Sequence, residues 1–574
     1  MPEPANYIEK VYAGVLGKVI GVYIGQPFEG WLNERIEKEL GEVSWYVNEK
    51  FSKPLVVSDD DISGTFTFIR ALDDHMASRN ITSEQIGKTW LNYLVEYENI
   101  LWWGGMGVST EHTAWLRLKA GIPAPLSGAI ETNGRVVAEQ IGAQIFIDGW
   151  AMVAPGDPEL AVELAGRAGR VSHDGAAVHG AQAVAAMQSL AFAETDMTRL
   201  LDCALKYIPK DSVIYAVHQD VREWASTHGD DWRKTFARIK DKYGYDKFGG
   251  GCHIVPNHAV MVMAWAHAPD DFTRAMMICG TAGWDTDCNL ANVGCLMGIK
   301  GGLAAITAGG RDWRGPFADR MIIPTAKGTT DALREADMII RMGRRMMGWR
   351  EVPAPKKGAR FHFSLPGSLH GFIPEDGKLA SLENVQAETG SRCLKISFRN
   401  TSADKPATVS TPTFLQPDYI PKLRQGYAAV INPTLYSGQK LTASVSADKS
   451  NKAPVSVALS ISYYTEMGAE TKTRHLACDA IVLEPGASGR IEWTVPDTDG
   501  GFPIYAAGLS IHGTGAGAVY MDAMDWSGSP KIAFRPALYR PGYGYPYGWT
   551  ISGKPATLLR AHDTMTELMA STGI

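Results

Sequence analysis

Two groups of acidic residues, far apart in the chain, point most directly to chemistry. Residues 58–61 read SDDD where an extended run gives way to a helical pattern, and residues 283–289 read GWDTDCN before another helical run. Adjacent carboxylates repel one another unless a cation, a proton or open water relieves the repulsion. A helix cap explains one aspartate well, but three in a row exceed what capping needs. The two groups therefore predict a cation site, provided that the fold brings them together.

The residue types define which cation is expected. Hard divalent ions such as Mg²⁺ and Mn²⁺ bind carboxylate and hydroxyl oxygens and keep several waters. The two segments offer such a set in Ser58, Asp59, Asp60, Asp285 and Asp287. Two such ions orient the vicinal hydroxyls of a sugar and lower the pKa of bound water. Cleavage of a glycosidic bond through an oxocarbenium-like sugar needs these functions and a proton for the leaving group.

The composition of the whole chain limits the classes of function. Its 574 residues exceed one ordinary core, so two or three domains are expected. A net charge of -6 and a pI near 6.2 give no overall basic field for binding nucleic acid. Hydrophobic residues make up 45% and charged residues 21% of the chain, which is typical of a soluble globular protein. Seven scattered cysteines without a C-x-x-C pair indicate reduced thiols.

An apolar, glycine-rich run near the N-terminus, VYAGVLGKVIGVYIG, requires its own interpretation. It is short for a membrane span and contains Lys18, and it follows an acidic lead where an export signal has a basic one. We therefore expect a buried helix of the core, no membrane association and a cytoplasmic protein.

The hydrophobic periodicity changes near residue 355. Before it, apolar residues recur at three-to-four spacing, as in PELAVELAGRAGRV, which predicts helices. After it the spacing becomes two, which predicts strands, at positions such as Leu394, Ile396, Phe398, Val455, Val457, Leu459, Ile461, Tyr463, Val519, Met521 and Ala523. We expect a multidomain protein with an all-α catalytic domain over 1–350, a proline-containing linker over 351–360, and an all-β sandwich or jelly roll over 361–574.

Three separated motifs resemble the ADP-ribosylglycohydrolase family, which includes dinitrogenase reductase-activating glycohydrolase. They are SDDD, the G-x-D-T-D pattern, and the upstream AGVLGKVIGVYIGQPFEG; PGDPELAVELAGRAGRVSHDG is also similar to the family's central helical segment. The resemblance covers residues 7 to 350 and implies an all-α fold with a dinuclear Mg²⁺ or Mn²⁺ centre in a cleft. Near the C-terminus, VYMDAMDWSGSP resembles the last strands of jelly-roll modules found beside carbohydrate-active enzymes, which implies a carbohydrate-binding-module-like domain.

The family resemblance assigns roles to the first motif and to one upstream acid. The family's metal-binding triplet, Thr-Asp-Asp, falls on Ser58, Asp59 and Asp60. The serine keeps a hydroxyl ligand, and Asp60 is also expected to take part in catalysis. Glu29, in GQPFEG, matches the acidic residue that gates or assists catalysis beside the metals.

The second motif departs from the family pattern at one position. Asp285, Asp287 and Cys288 stand where the family has Asp-x-Asp followed by Thr or Ser, and Asp287 resembles the carboxylate that bridges both ions. A thiol is a poor ligand for Mg²⁺. The second ion is therefore expected to bind more weakly or to be held differently, with help from Asn289.

The substrate is expected to be a small glycoside or ribosyl compound. Family members that cleave ADP-ribose carry a loop resembling G-N-G-x-x-M-R, of which the region 127–150 keeps only Asn133, Gly134 and Arg135 loosely. The loss of M-R weighs against ADP-ribose, whose pyrophosphate requires backbone N–H groups and Arg or Lys. Further candidates for the pocket are Asp148, His173, His253, Asn257 and His258.

Three functions remain open from the sequence. The preferred one is a metal-dependent hydrolase of N- or O-glycosidic bonds acting on a glycoside or furanoside. The first alternative is an ADP-ribosyl hydrolase that removes ADP-ribose from a protein or a small molecule. The second is a non-catalytic sugar-binding protein on the same scaffold. The sequence leaves the oligomeric state open, and a homo-oligomer is possible.

Overall fold

The computed structural model describes residues 2–97, 100–324, 328–387, 390–402, 404–419, 431–466 and 471–531. They form two compact units. The first comprises residues up to Pro316 together with Ala332–Glu351, and the second comprises Phe317–Asp331 and the described residues from Val352 onwards. The domain limits drawn from the sequence stay a prediction, and the compact units differ from them in the placement of Phe317–Asp331.

The described part of the first unit is helical, as the three-to-four spacing predicts. Its α-helices are α1 (Tyr7–Gly25), α2 (Asn33–Glu39), α3 (Asp60–Phe68), α4 (Ala71–Asp74), α5 (Ser83–Tyr93), α6 (Thr110–Lys119), α7 (Ile130–Asn133), α8 (Arg135–Ala138), α9 (Gly142–Ile145), α10 (Asp148–Met152), α11 (Pro158–Gly169), α12 (Ala176–Leu190), α13 (Met197–Tyr207), α14 (Val213–His228), α15 (Trp232–Tyr243), α16 (Ile254–His267), α17 (Phe272–Ala282), α18 (Thr286–Thr307) and α19 (Ala332–Met347).

Helices α1 and α18 form the centre of this unit. Glycines on the two helices let the backbones touch: a Cβ at Gly17 would lie 2.0 Å from the carbonyl oxygen of Gly294, and one at Gly21 would lie 2.3 Å from that of Leu290. The apolar run near the N-terminus is thus a buried core helix, as predicted. The segment Thr286–Gly310 is long and apolar enough to cross a membrane, and 78% of its most apolar window is buried inside the protein.

The second unit contains two antiparallel sheets and a separate hairpin. Its strands are β1 (Arg320–Ile323), β2 (Gly328–Asp331), β3 (Ile373–Pro374), β4 (Ala380–Gln386), β5 (Arg392–Arg399), β6 (Ala407–Pro412), β7 (Lys440–Ala447), β8 (Val455–Glu466), β9 (Lys472–Ala477), β10 (Ile481–Leu483), β11 (Ser488–Thr494), β12 (Ile504–Gly513) and β13 (Ala516–Ser527). One sheet has the order β10-β8-β12-β6-β3, with β9 also paired to β8, and the other has the order β11-β7-β13-β5-β4.

The core of the second unit follows the period-two prediction with one exception. The predicted inward positions of β5 and β8 are all buried. In β13, Val519 and Met521 point inward, but the register shifts between Met521 and Ala523, so that Met524 and Trp526 fill the core instead. The inward position predicted for Ala523 is therefore wrong, because a β-bulge inserts an extra residue and reverses the alternation.

Candidate metal centre and active site

Backbone pairing brings the loop after α1 against the turn before α18. The amide of Gly30 donates to the carbonyl of Trp284 at 2.8 Å, and the amide of Trp284 donates to the carbonyl of Trp31 at 2.8 Å. At the end of α1, a Cβ on Gly25 would lie 2.5 Å from the backbone nitrogen of Asp287. This close approach places Glu29 beside the second acidic segment.

The first acidic segment lies at the N-terminus of α3. Asp59 caps the helix, since its Oδ1 accepts a hydrogen bond from the amide of Asp61 at 3.0 Å. Ser58, Asp59 and Asp61 are buried, whereas Asp60 is half-buried. Capping therefore accounts for one aspartate, and the side chain of Asp61 turns towards the second segment.

The two acidic segments meet in space. Three sets of side chains bring their carboxylate or thiol atoms within 4.8 Å of one another: Asp61 with Asp287 and Cys288, Glu29 with Asp285 and Asp287, and Asp59 with Asp60 and Asp61. We call these seven residues the acidic cluster. The Sγ of Cys288 donates to Oδ2 of Asp61 at 3.4 Å.

Asp61 is the residue that the sequence-based assignment missed. The family's Thr-Asp-Asp falls on Ser58, Asp59 and Asp60, and Asp61 is the next residue beyond that triplet. Two of the three sets of converging donor atoms include Asp61. The third consecutive aspartate was visible in the sequence, but its contact with Cys288 depends on how α3 is oriented.

The chemistry of the acidic cluster fits a divalent cation. Asp59 Oδ2, Asp61 Oδ1 and Asp285 Oδ2 are buried and accept no hydrogen bond from the described residues. A buried carboxylate oxygen without a partner is costly, and carboxylate oxygens are the ligands that hard divalent ions prefer. The donor set therefore suits Mg²⁺ or Mn²⁺ better than a soft ion, with Cys288 as its one soft member.

The electrostatics of the acidic cluster also favour a bound divalent cation. Burial first, and repulsion among neighbouring carboxylates second, raise the pKa values of Asp59, Asp285 and Asp287 well above their ordinary range. Repulsion from Asp287 raises the pKa of Glu29, whose side chain reaches solvent. A bound cation reverses such shifts because it favours the charged carboxylates.

A buried lysine lies beneath the acidic cluster. Burial raises the pKa of Asp61 to about 8, and the positive charge of Lys18 opposes that rise. Lys18 donates to the carbonyl of Ile145 at 2.8 Å and pairs with Asp148 at 2.8 Å, with both charged side chains fully buried. Asp148 also accepts from Gln188 at 2.5 Å and from Asn292 at 2.9 Å. Asp148 is therefore fully buried among polar partners, and its contact with the substrate stays a prediction.

Asn257 supports the second acidic segment from α16. Its Oδ1 accepts from the amide of Asp285 at 3.3 Å and from Nδ2 of Asn289 at 2.9 Å, and its Nδ2 donates to the hydroxyl of Tyr245 at 2.7 Å. Asn257 is fully buried and holds this segment through these contacts, and its contact with the substrate stays a prediction. Asn289 likewise holds Asn257 through its amide, and the help towards the ion that we expected from it stays a prediction.

The three candidate histidines are buried, and their place in a substrate pocket stays a prediction. His253 caps α16 by accepting from the amide of Val255 at 3.2 Å. His258 lies 2.8 Å from His218, between their Nε2 atoms. His173 lies 2.7 Å from Ser172 Oγ through its Nδ1. Burial lowers the pKa of His253 to about 4 and those of His173 and His258 to about 3, so all three are neutral at pH 7.

Asn133 is the last residue of α7, and Gly134 joins α7 to α8. Asn133 donates to the carbonyl of Ser127 at 2.7 Å and accepts from Nε of Arg117 at 3.1 Å, and Gly134 has a φ of 82°. The exposed Arg135, at the start of α8, pairs with Glu139 at 2.8 Å. The arginine of this segment is therefore already paired with a carboxylate, and contacts of Asn133 and Gly134 with a substrate stay a prediction.

A second carboxyl group, outside the acidic cluster, was also missed by sequence analysis. Glu111 lies in the first turn of α6, with 14% of its side chain exposed and its Oε1 3.5 Å from Nε2 of His173. Electrostatic repulsion from Asp60 contributes to the raised pKa of Glu111. In the sequence it is a single glutamate at a helix start, which is common for dipole reasons alone, so no motif singled it out.

In the helical unit, acidic residues converge from the loop after α1 and from the starts of α3 and α18. The ADP-ribosylglycohydrolase family model matches residues 3–343, and the chain belongs to this family. This confirms the predicted family and the predicted fold class of an all-α domain followed by a β-sandwich. No curated protein matches the chain.

Solved structures are similar to each part of the chain. An ADP-ribosylglycohydrolase-related protein complex is 17% identical, covers 59% of this chain and 99% of its own, and has a TM-score of 0.41. The CBM22-1 xylan-binding domain of Paenibacillus barcinonensis Xyn10C is 10% identical, covers 30% of this chain and 94% of its own, and has a TM-score of 0.20. A xylan-binding domain from CBM 22 is 12% identical, with coverage of 31% and 100% and a TM-score of 0.22. With TM-scores this low, none of these three structures identifies a ligand for this chain.

Proposed function

We propose that this protein is a metal-dependent hydrolase of glycosidic bonds whose substrate is a small, uncharged glycoside or furanoside. The family supports a glycohydrolase-type function. The observation that carries the proposal is the acidic cluster, in which carboxylates from the two distant acidic segments converge. Three of its buried oxygens, Asp59 Oδ2, Asp61 Oδ1 and Asp285 Oδ2, accept no hydrogen bond from the described residues. Such an arrangement is stable at neutral pH only if positive charge or protons neutralise it.

The acidic cluster supplies the parts that hydrolysis requires. Asp59, Asp61, Asp285 and Asp287 would hold the cation. When bound, one or two divalent ions would orient the sugar hydroxyls and polarise water. Glu29 is the exposed carboxylate of the cluster, and we assign to it the removal of a proton from the attacking water.

The pairing of two basic residues, one in the predicted phosphate-binding region and one beneath the acidic cluster, favours an uncharged substrate. A pyrophosphate requires Arg, Lys or free backbone amides. In the loop that would bind it, Arg135 already pairs with Glu139, and beneath the cluster Lys18 pairs with Asp148. Burial, and then repulsion from Asp60, raise the pKa of a further carboxyl group, that of Glu111, to about 7. We therefore keep ADP-ribose as the alternative substrate and sugar binding without catalysis as the third function.

The test is hydrolysis of aryl glycosides, aryl furanosides and ADP-ribosylated peptides, each with Mg²⁺, Mn²⁺ or EDTA. We expect metal-dependent release from a simple glycoside. Asp61→Asn and Asp287→Asn should each lower kcat by at least about 100-fold, in the range found for removal of a group that stabilises charge in the transition state. Asp241→Asn is the matched control, because Asp241 is an exposed carboxylate of α15, and it should leave the rate unchanged.

The other outcomes distinguish the alternatives. Turnover of ADP-ribosylated peptides alone would establish the ADP-ribosyl hydrolase. Binding of sugar and metal by calorimetry without any turnover would establish the non-catalytic protein. We also propose a cytoplasmic location, which the seven free cysteines support; measured distribution between cell fractions tests it.

A further inference from the structure

The loop between α15 and α16, residues 244–253, places an aromatic side chain against the second acidic segment. Tyr245 in this loop is half-buried. The centroid of its ring lies 5.4 Å from a ring centroid of Trp284, with the two planes 77° apart. Trp284 directly precedes Asp285 in the chain. This edge-to-face contact, a preferred geometry for aromatic pairs, therefore puts Tyr245 at the start of the segment.

A short chain of hydrogen bonds joins Tyr245 to the same segment. Its Oη lies 2.7 Å from Nδ2 of the buried Asn257. Oδ1 of Asn257 accepts from the amide of Asp285 at 3.3 Å and from Nδ2 of Asn289 at 2.9 Å. Asp285 contributes a carboxylate to the acidic cluster. One amide group thus separates the phenol of Tyr245 from the backbone of a cluster residue.

The neighbours of Asn257 determine the direction of its hydrogen bond with Tyr245. The amide of Asp285 only donates, so the oxygen of Asn257 faces it, and the carbonyl of His253, 3.0 Å from Nδ2, only accepts. Nδ2 carries two hydrogens, and it gives one to His253 and one to Tyr245. Oη of Tyr245 is therefore an acceptor in this bond, and it has no other hydrogen-bond partner within the described residues. The phenolic hydrogen remains for another acceptor.

The loop is also fixed at its other end. Nε2 of Gln140 donates to the carbonyl of Gly249 at 3.2 Å, and its Oε1 accepts from the amide of Cys252 at 3.1 Å. A Cβ on Gly250 would lie 2.3 Å from Nε2 of Gln140, so the loop packs directly on this side chain. A group held in place before a ligand binds loses little freedom on binding, and Tyr245 is such a group.

Tyr245 supplies a kind of group that the carboxylates of the acidic cluster lack. Ionised carboxylates only accept hydrogen bonds, whereas a phenol, with an ordinary pKa of about 10, keeps its hydrogen at neutral pH and donates it. A sugar hydroxyl oxygen accepts such a hydrogen bond. A sugar bound at the cluster therefore finds acceptors in the carboxylates and a positioned donor in Tyr245.

We propose that Tyr245 is a specificity-determining residue that donates its phenolic O–H to one hydroxyl oxygen of the sugar bound at the acidic cluster. This inference rests on the proposed function. A sugar with a hydroxyl group at this position gains one neutral hydrogen bond, and a sugar without it leaves the phenol unpaired. The protein thereby selects among sugars by a single hydroxyl group.

The experiment combines Tyr245→Phe with substrates that each lack one hydroxyl group. The probes are the 4-nitrophenyl glycoside or furanoside that wild type hydrolyses and its monodeoxy analogues. Loss of one neutral hydrogen bond corresponds to about a 3–10-fold decrease in kcat/KM, which we expect for Tyr245→Phe on the complete sugar. On one analogue the variant and wild type should have equal kcat/KM, because the partner hydroxyl is already absent.

Two controls separate this role from a structural one. Tyr207→Phe makes the same change at a half-buried tyrosine of α13, whose ring packs against Val162, Ala186 and Cys203, and it should leave every kcat/KM unchanged. Calorimetry should give the same Mn²⁺ affinity for Tyr245→Phe and wild type, because Asn257 still holds the amide of Asp285.

The remaining outcomes overturn the inference. An equal loss on the complete sugar and on every analogue makes the role of Tyr245 structural. A lower Mn²⁺ affinity shows that the variant acts through the acidic cluster, and an unchanged kcat/KM on every substrate removes Tyr245 from sugar recognition. In these three cases the proposed function stands. Absence of turnover by wild type on every glycoside and furanoside overturns the proposed function and the role of Tyr245 with it.

Discussion

At the scale of single residues, Cys288 is the unusual member of the acidic cluster. Its thiol donates to Asp61 Oδ2 at 3.4 Å, and burial together with the surrounding carboxylates raises its pKa well above the ordinary value for cysteine. The thiol therefore acts as a hydrogen-bond donor to one carboxylate. A hydroxyl group at the same position would be a harder ligand for a hard cation.

We predict that Cys288→Ser strengthens Mg²⁺ binding by about tenfold, which corresponds to about 1.4 kcal/mol. The serine hydroxyl keeps the hydrogen bond to Asp61 and offers an oxygen ligand. Calorimetric titration with Mg²⁺ measures the change, and Cys279→Ser serves as the control because Cys279 is buried in α17 outside the acidic cluster. Unchanged or weaker binding in Cys288→Ser would show that residue 288 does not contact the ion.

The buried ion pair of Lys18 and Asp148 influences the electrostatics of the acidic cluster. A buried ion pair contributes little net stability, but loss of one partner leaves an uncompensated charge. Here the pair also supplies positive charge beneath Asp61. We infer that Lys18, in the apolar run of α1 from Val11 to Gly25, limits the repulsion within the acidic cluster.

At the scale of elements, the contact between α1 and α18 determines where the acidic residues meet. The glycines of α1 let the two backbones touch along their length, and this contact places the start of α18 beside the end of α1. A displacement of one helix would move Asp287 away from Glu29. The apolar glycine-rich run therefore has a positional function as well as a packing function.

We predict that Gly21→Val lowers the free energy of unfolding by about 3 kcal/mol or more, because overpacking against a backbone cannot be relieved by side-chain rotation. A Cβ at Gly21 would lie 2.3 Å from backbone atoms of Leu290. Urea unfolding measures the loss. Gly251→Val is the control, since a Cβ at the exposed Gly251 meets nothing within 4 Å. Equal stability of the two variants would contradict close backbone contact of α1 with α18.

At the scale of the whole molecule, the division into two units does not follow a single boundary along the chain. Residues 317–331 lie within the interval matched by the family model, yet they belong to the second unit. Their β2 strand ends at Asp331, whose Oδ1 is 3.0 Å from Nδ1 of His370, with both side chains buried. Asp319 also accepts from the amides of Leu369 and His370. These contacts hold the segment within the second unit.

We predict that a divalent cation protects only the first unit against unfolding. A ligand at 100 times its Kd stabilises the state that binds it by about 2.7 kcal/mol, and the acidic cluster lies wholly in the first unit. Hydrogen exchange with and without Mn²⁺ measures protection of each unit, and Asp287→Asn is the negative control. Equal protection of the strands of the second unit would show that the two units unfold together.

The sequence predicted the two fold classes because periodicity is a local property. Three-to-four spacing indicated the helices, and alternation indicated the inward positions of β5 and β8. The bulge in β13 escaped prediction, because pairing with the neighbouring strand, and not local composition, selects where an extra residue is accommodated. The assignment of residues 317–331 to the second unit was not predicted for a similar reason, since it depends on contacts with residues distant in the chain.

The sequence by itself determined the family, the presence of two acidic segments and the identity of most residues in the acidic cluster, since these depend on residue types at short spacing. Only the tertiary structure decided that Asp61 faces Cys288 and that Asp148 pairs with Lys18 in the core. The physical reason is that the energy of a carboxyl group depends on its burial and on the charges beside it, and residues far apart in the chain provide both.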